Sequence, residues 1–162
     1  MNRLLFAAAL LFCSPLANAT EIGTSKTTGL GVSGGILAGG LSAKFYRENN
    51  MAVQVTVGSY GYSNLGGTLL VGSDLTTNFT TLFQDAAGQL LVNAGAGGAL
   101  VMYNVAGISG GSLGANGVLG LVWQFADLPL EMTIDWRPTI LIGDYYSGLY
   151  LYGNGLGIRY FF

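Results

Sequence analysis

Residues 150–162 read YLYGNGLGIRYFF, and their side chains separate into two faces. Because successive side chains of a strand point to opposite sides, one face carries Tyr150, Tyr152, Leu156, Ile158, Tyr160 and Phe162. The other face carries Gly153, Gly155, Gly157, Arg159 and Phe161. This second face is too small and sparse to be a water-facing surface, and it suits a narrow lumen. The pattern therefore predicts a strand whose small, sparse face lines the inside of a barrel.

The same alternation extends through the rest of the chain and predicts an all-β, antiparallel, up-and-down barrel. About eight strands are expected, at 28–36, 41–47, 51–59, 74–84, 90–103, 113–125, 130–141 and 148–162. Short turns follow the second, fourth and sixth strands, whereas longer connections follow the third and fifth, at 60–73 and 104–112. We expect a bulge at Gly97-Gly98, because glycine inside a strand often marks one. Alternating short and long connections are typical of membrane barrels, with short periplasmic turns and longer external loops.

The composition agrees with a barrel that spans a membrane. Charged residues make up 9% of the chain, apolar residues 51%, and the mean hydropathy is +0.50, whereas a soluble domain carries about 25% charged residues. No stretch beyond residue 19 approaches the ~20 apolar residues of a membrane helix. A closed barrel is the other structure that satisfies its backbone within lipid.

Residues 1–19 have the features of a cleaved signal peptide, so we expect the barrel domain to comprise residues 20–162. A basic start at Arg3 precedes the apolar run 4–12, and Ala17-Asn18-Ala19 matches a small-x-small cleavage pattern. An uncleaved membrane anchor is the alternative, but the apolar run is short. Cys13 follows Phe12, where a lipoprotein signal needs a small residue, so we expect no lipidation.

The residue types argue against an enzyme and against metal or cofactor binding. The chain has no histidine, and its single cysteine lies in the predicted signal peptide; histidine is the commonest general base and metal ligand. Glu131 and Asp135 would lie about 13 Å apart along one strand, beyond the ~5–9.5 Å of glycosidase carboxylate pairs. We expect no catalytic, cofactor-binding or metal-binding residues. The few scattered basic residues give no nucleic-acid-binding surface.

A charged cluster is expected inside the barrel. Glu131, Asp135 and Arg137 share one face of the seventh strand, and Arg159 and Lys44 point into the same interior. Because eight strands enclose a space just wide enough for side chains, these charges should pair and plug the lumen. A proton or ion path through them is the alternative.

Aromatic residues are expected in two girdles near the strand ends, where membrane barrels place them. The predicted girdle residues are Phe45, Phe83, Trp123, Phe125, Trp136, Tyr145, Tyr146 and Tyr150. Tyr60, Tyr62 and Tyr103 also fall near the predicted external ends. The alternative is the core of a β-sandwich, where aromatic residues lie more often in mid-strand.

The segment 130–162, and residues 155–162 (GLGIRYFF) above all, resembles the last hairpin of small outer-membrane barrels of the outer membrane protein A and X type. The resemblance implies an eight-stranded barrel in the outer membrane of a Gram-negative cell, in contact with lipid and lipopolysaccharide. It also implies insertion by the barrel assembly machinery, with Tyr160 and Phe162 as the assembly signal.

Two functions remain open. The first is a structural or surface-interaction barrel, whose loops 60–73 and 104–112 contact an external partner. The second is a narrow pore or transporter for small solutes. A lipid-modifying enzyme is disfavoured because those families depend on histidine, and a soluble lipocalin-like binder is the alternative outside membranes.

Overall fold

The computed structural model describes residues 21–36, 39–47, 50–59, 67–105, 108–143 and 147–162. The predicted signal peptide 1–19 lies outside the described residues, as do Tyr145, Tyr146 and residues 60–66. In the described part of the chain, no helix is long and apolar enough to cross a membrane.

The described residues form one antiparallel sheet of ten strand segments. In chain order they are β1 (Thr28–Gly34), β2 (Gly40–Tyr46), β3 (Met51–Gly58), β4 (Gly67–Asp85), β5 (Gly88–Val105), β6 (Ile108–Phe125), β7 (Leu130–Trp136), β8 (Thr139–Gly143), β9 (Gly148–Tyr150) and β10 (Asn154–Phe161). The strands β4 to β6 have 18 or 19 residues each, more than twice the length of β1 to β3.

The sheet closes on itself because the first strand pairs with the last. β1 pairs with both β2 and β10, and β5 pairs with β6. β7 and β8 both pair with β6 and together make one side of the wall, and β9 and β10 together make the next. The result is an eight-stranded, closed, antiparallel barrel in which neighbours follow chain order. The predicted fold class is therefore confirmed as far as strand number, direction and closure.

The last two strands of the barrel are each interrupted at the same level. Two residues, 137–138, separate β7 from β8, and three residues, 151–153, separate β9 from β10. The backbone N–H of Arg137 still donates to the carbonyl of Gly153 at 2.8 Å, so the wall stays continuous across the break. Pro138 has no N–H to add to the ladder, and the unequal counts produce a bulge. Predicted strands 130–141 and 148–162 are thus each split in two.

The register around the barrel defines its tilt. From Gly31, the paired residues in one direction are Ser42, Thr56, Gly72, Ala99 and Gly114; in the other direction they are Arg159, Glu131 and Gln124. The two paths meet β6 at Gly114 and Gln124, ten residues apart. Such a stagger requires strands tilted by about 35–45° to the barrel axis.

The two faces of the wall have opposite chemistry. Among the described residues, fifteen polar or charged side chains are buried against eleven hydrophobic ones, and thirty large hydrophobic side chains are exposed. Every strand contributes to the exposed set, for example Val32, Leu41, Val57, Leu75, Leu100, Leu121, Ile134, Ile140, Leu149 and Ile158. The wall therefore has its polar face inside and its apolar face outside, as the alternation of 150–162 predicted.

We call the end of the barrel that holds Thr28 and Phe162 the C-terminal rim, and the other end the opposite rim. The turn at Ala86-Ala87 and the connection 126–129 also lie at the C-terminal rim. The end of β5 at Val105 and the start of β6 at Ile108 lie at the opposite rim.

Three sequence expectations about loops and bulges are wrong. Residues 67–73 belong to β4, and most of 104–112 belongs to the paired ends of β5 and β6, where Asn104 pairs with Ser109. Glycine and serine suggested a loop there, but a ladder needs only their backbone groups. The Gly97-Gly98 bulge is absent, since β5 pairs without a break, and the register shifts lie in β4 between Asn78 and Phe83.

Candidate functional site

Among the described residues, six charged side chains lie inside the barrel and form two separate clusters. In the first, Glu131 Oε1 accepts from Lys44 Nζ at 2.8 Å and from Arg159 Nη1 at 3.3 Å. All three side chains are almost completely excluded from solvent. They meet because Arg159 and Glu131 are register partners on β10 and β7, while Lys44 reaches across from β2.

A polar network surrounds the second oxygen of Glu131. Tyr46 Oη donates to Glu131 Oε2 at 2.6 Å, and this hydroxyl accepts from Asn78 Nδ2 and Gln124 Nε2, each at 3.0 Å. The carboxylate of Glu131 thus has partners on both oxygens, as a buried charge requires.

The second cluster lies closer to the opposite rim. Arg137 donates through Nη1 to Asp74 Oδ2 and through Nε to Asp135 Oδ1, both at 2.5 Å. Asn116 Nδ2 donates to the other oxygen of Asp74 at 2.8 Å. A guanidinium shared between two carboxylates gives this cluster one excess negative charge, and the first cluster has one excess positive charge.

Across the described residues the two clusters balance, with three cationic and three anionic side chains inside. The predicted residues Lys44, Glu131, Asp135, Arg137 and Arg159 all point inward, but they do not form one group. The prediction missed Asp74. Asp74 is the first residue of the predicted strand 74–84, and its side chain lies on the same face as the buried Thr76 and Asn78.

Glycines on the inner face give these side chains their space. A Cβ on Gly157 would lie 2.8 Å from Thr133 Oγ1 and 3.2 Å from Arg159 Nη2, and one on Gly155 would lie 2.6 Å from Asp135 Oδ1. In a barrel this narrow, the guanidinium and the carboxylate occupy the volume that larger residues would fill. The glycines of the final strand therefore leave the room that the buried charged side chains need.

A small apolar group lies in the interior nearer the opposite rim. Leu70 and Val101 are buried together, with Ile36 and Ala99 packed against them. Tyr103, which the sequence placed among the external aromatic residues, is 7% exposed and faces inward. By alternation with Leu30 and Val32, Ile36 would face outward, but β1 ends at Gly34 and Gly35 has φ +128°, so the chain turns Ile36 inward.

A small apolar cluster closes the C-terminal rim. It consists of Ile22, Tyr46, Ala52 and Phe161. The rings of Tyr46 and Phe161 are 5.6 Å apart, and a Cβ on Gly29 would lie 2.5 Å from the Phe161 ring, so this ring covers Gly29. Tyr160 and Phe162, the predicted assembly signal, point outward from the same strand end and are exposed.

Three of the predicted girdle residues lie together at the C-terminal rim. Phe83 stacks on Trp123 at 6.5 Å, and Trp123 meets Phe125 edge-on at 6.2 Å. Phe45 and Trp136 are on the outer face, and the Trp136 indole donates to the carbonyl of Leu151 at 2.6 Å, at the bulge. Tyr150 is half-buried at the end of β9. Tyr145 and Tyr146 lie outside the described residues.

The buried charged side chains of the two clusters are paired with side chains of opposite charge. In the part of the chain that the structure describes, no group of three or more histidine, cysteine or acidic residues could hold a metal ion. Glu131 and Asp135 belong to different ion-pair clusters. At the C-terminal rim, a hydrogen bond from Lys26 and the charge of its ammonium lower the pKa of the exposed Glu21 carboxyl from its usual value.

Comparison of the chain with protein-family models, with curated proteins and with solved structures finds no match.

Proposed function

We propose that this chain is an integral barrel of a bacterial outer membrane, with a structural or surface-interaction role and a lumen closed by its own side chains. The observation that carries the proposal is the apolar outer face. Thirty exposed large hydrophobic side chains, spread over every strand of the described barrel, exceed what a soluble monomer tolerates. Lipid is the solvent in which such a surface is stable.

The height of the apolar face supports the same conclusion. On β6 the outward-facing Leu113 and Trp123 are ten positions apart. At ~3.3 Å per residue and a tilt near 40°, ten positions correspond to about 25 Å along the barrel axis. This is the height of the apolar band on outer-membrane barrels, about 25 Å. The aromatic cluster of Phe83, Trp123 and Phe125 stands at one edge of the band, as an interfacial girdle would.

The interior supports a closed barrel more than a pore or an enzyme. The two ion-pair clusters lie inside the barrel, and Leu70 packs on Val101 nearer the opposite rim. Each carboxylate of the two clusters is bound to a cation, so neither cluster offers a free acid or base. We therefore propose a non-enzymatic barrel without cofactor.

Conductance in planar bilayers tests the closed lumen. The mature chain, refolded and inserted, should show no steady conductance, with heat-dependent gel mobility confirming that the sample is folded. A reproducible open channel that changes with Arg137→Gln or Arg159→Gln would overturn the closed barrel and favour the narrow pore.

We assign insertion to the barrel assembly machinery, which would read Tyr160 and Phe162. Both side chains face outward at the end of β10, and the N–H of Phe162 donates to the carbonyl of Thr28 at 3.0 Å. Deleting Phe162 should lower the amount of folded protein in the membrane and leave aggregates in the periplasm. The control is Phe161→Leu, which changes the inward-facing neighbour. Equal amounts of heat-modifiable protein with and without Phe162 would contradict the assignment.

The surface-interaction role falls to the opposite rim, where the ends of β5 and β6 meet. Residues 102–105 and 108–111 pair there, and together with the predicted loop at 60–66 they are the candidate contact surface. Lipopolysaccharide or another cell surface is the proposed partner. Exchanging 104–109 for a short Asn-Gly turn should abolish binding to vesicles that contain lipopolysaccharide and leave the absence of conductance unchanged. Binding unaffected by the exchange would remove this surface from the proposal.

A further inference from the structure

The segment Glu21–Lys26 folds into a closed turn over the C-terminal rim. The N–H of Gly23 donates to the carbonyl of Lys26 at 2.9 Å, and the N–H of Lys26 donates to the carbonyl of Glu21 at 3.0 Å. Lys26 Nζ also pairs with Glu21 Oε2 at 2.9 Å. Gly23 has φ +86°, which glycine adopts readily. The turn thus holds its shape through bonds among its own residues.

One side chain of this turn enters the barrel. Ile22 is 5% exposed and packs with Tyr46, Ala52 and Phe161, whereas the other five residues of the turn are exposed or half-buried. A Cβ on Gly23 would lie 3.6 Å from the Tyr46 ring, so the turn rests on that ring. Ile22 is therefore the anchor that seats the turn in the rim.

The seat of Ile22 is directly above the first ion-pair cluster. The ring of Tyr46 contacts Ile22, and the hydroxyl of the same side chain donates to Glu131. Lys44 Nζ lies 4.7 Å from the centre of that ring. Ile22, Ala52 and Phe161 thus form the apolar layer between the aqueous rim and the buried charges.

The turn has room to leave its seat. A cavity of about 210 Å³ lies beside it, lined by Glu21, Ile22 and Lys26 on one side and by residues 125–129 on the other. On this side the turn is not packed against the wall. Ile22 is the one buried residue of the turn, and the next attachment to the wall is at Thr27, whose carbonyl accepts from the N–H of Tyr46 at 2.8 Å.

We propose that the Glu21–Lys26 turn is a displaceable stopper, and that its withdrawal opens the C-terminal end of the lumen to water and small solutes as far as Lys44, Glu131 and Arg159. The barrel then has two independent closures. The inner closure is fixed in the wall, and the outer closure moves. This inference stands on the lumen geometry and can be tested in detergent micelles, so it does not depend on the proposed location.

A single cysteine beneath the stopper reports whether it is seated. The chain from residue 20 has no cysteine, so Gln54→Cys introduces one thiol. Gln54 is buried on the inner face, two positions beyond Ala52 and in register with Lys44. The rate at which a small charged methanethiosulfonate reagent modifies this thiol measures access from the C-terminal rim.

Substitutions to aspartate at positions 22 and 25 add the same charge, and comparing them distinguishes loss of the anchor from the effect of a charge added to the turn. Ile22→Asp should raise the labelling rate at least about tenfold, because it removes the burial that seats the turn. Ile22→Ala should give a smaller rise and serves if the aspartate variant does not refold. Ser25→Asp, on the exposed side of the same turn, should change the rate by no more than about twofold.

Heat-dependent mobility establishes that each variant is folded. Unchanged labelling in both Ile22 variants, or labelling of the parent as fast as that of Ile22→Asp, would overturn the stopper.

Discussion

The inner and outer faces of the barrel wall come from the same strands but carry opposite chemistry. On β7, the inward Glu131 and Thr133 are buried, and the outward Met132 and Ile134 are exposed. The inner face needs every charge to be paired, since an unpaired charge in that narrow space is costly. The outer face needs only to stay apolar. The identity of each inward charged residue therefore matters, whereas one outward apolar residue can replace another. Substitutions on the two faces should lower the stability of the barrel for different reasons.

The largest loss of stability is expected from a substitution at Glu131, whose carboxylate has partners on both oxygens. Glu131→Gln removes the charge that compensates both Lys44 and Arg159, so two buried cations are left without a carboxylate. Removing one partner of a buried ion pair costs about 3–5 kcal/mol. Urea unfolding of the refolded protein, followed by gel mobility, measures the loss.

Glu21→Gln is the control for this substitution, because it removes a carboxylate that is also paired with a lysine, but at the exposed rim. Its midpoint should equal that of the parent. If Glu131→Gln were as stable as Glu21→Gln, the inner ion pairs would not support the fold.

A charge placed on the outer face should cause the next largest loss of stability. The size of this loss shows whether the outer face contacts lipid or water. Ile134 is 58% exposed in the middle of β7, so Ile134→Arg would be harmless on a water-facing surface. In lipid, an arginine at the midplane of a barrel costs about 2–4 kcal/mol, and near the interface about 0–1 kcal/mol. Unfolding in lipid vesicles should therefore show a large loss for Ile134→Arg.

Leu128→Arg provides the matched comparison at the rim. Leu128 has a similar exposure, 53%, but lies in the connection between β6 and β7. We expect its effect to be small. Equal tolerance at positions 128 and 134 would contradict a lipid-facing outer wall.

The smallest loss of stability is expected from filling the space beside an inward-facing glycine. Gly157→Ala places a methyl group 2.8 Å from Thr133 Oγ1 and 3.2 Å from Arg159 Nη2. Overpacking of this kind costs about 1–3 kcal/mol, which urea unfolding can measure. Gly34→Ala is the control, because nothing lies within 4 Å of its added Cβ. Two variants of equal stability would show that Arg159 is free to move aside.

Alternation was the part of the fold that the sequence predicted well. The faces of β10 match the prediction because a two-residue period leaves no freedom once a strand forms, and Arg159 and Phe161 are both inside. The inward charges were identifiable for the same reason. Their grouping was not, because which charges meet depends on the stagger of ten residues around the barrel.

Other features depended on backbone geometry that residue types do not specify. Gly110 and Gly111 lie in a paired strand, although glycine and serine there suggested a loop. The turn at Gly35, which directs Ile36 inward, and the role of Ile22 at the rim both result from tertiary packing. Asp74 was missed at a predicted strand boundary, where faces are least certain to be assigned.

Cell fractionation with gel analysis tests most directly whether lipid covers the outer face. Cells producing the full chain are separated into soluble and membrane fractions, the membranes are washed with alkali, and samples are run with and without heating. We predict that the protein stays with the outer membrane through the wash and that unheated protein migrates differently from heated protein. Recovery of the mature chain as a soluble monomer in buffer without detergent would contradict the account.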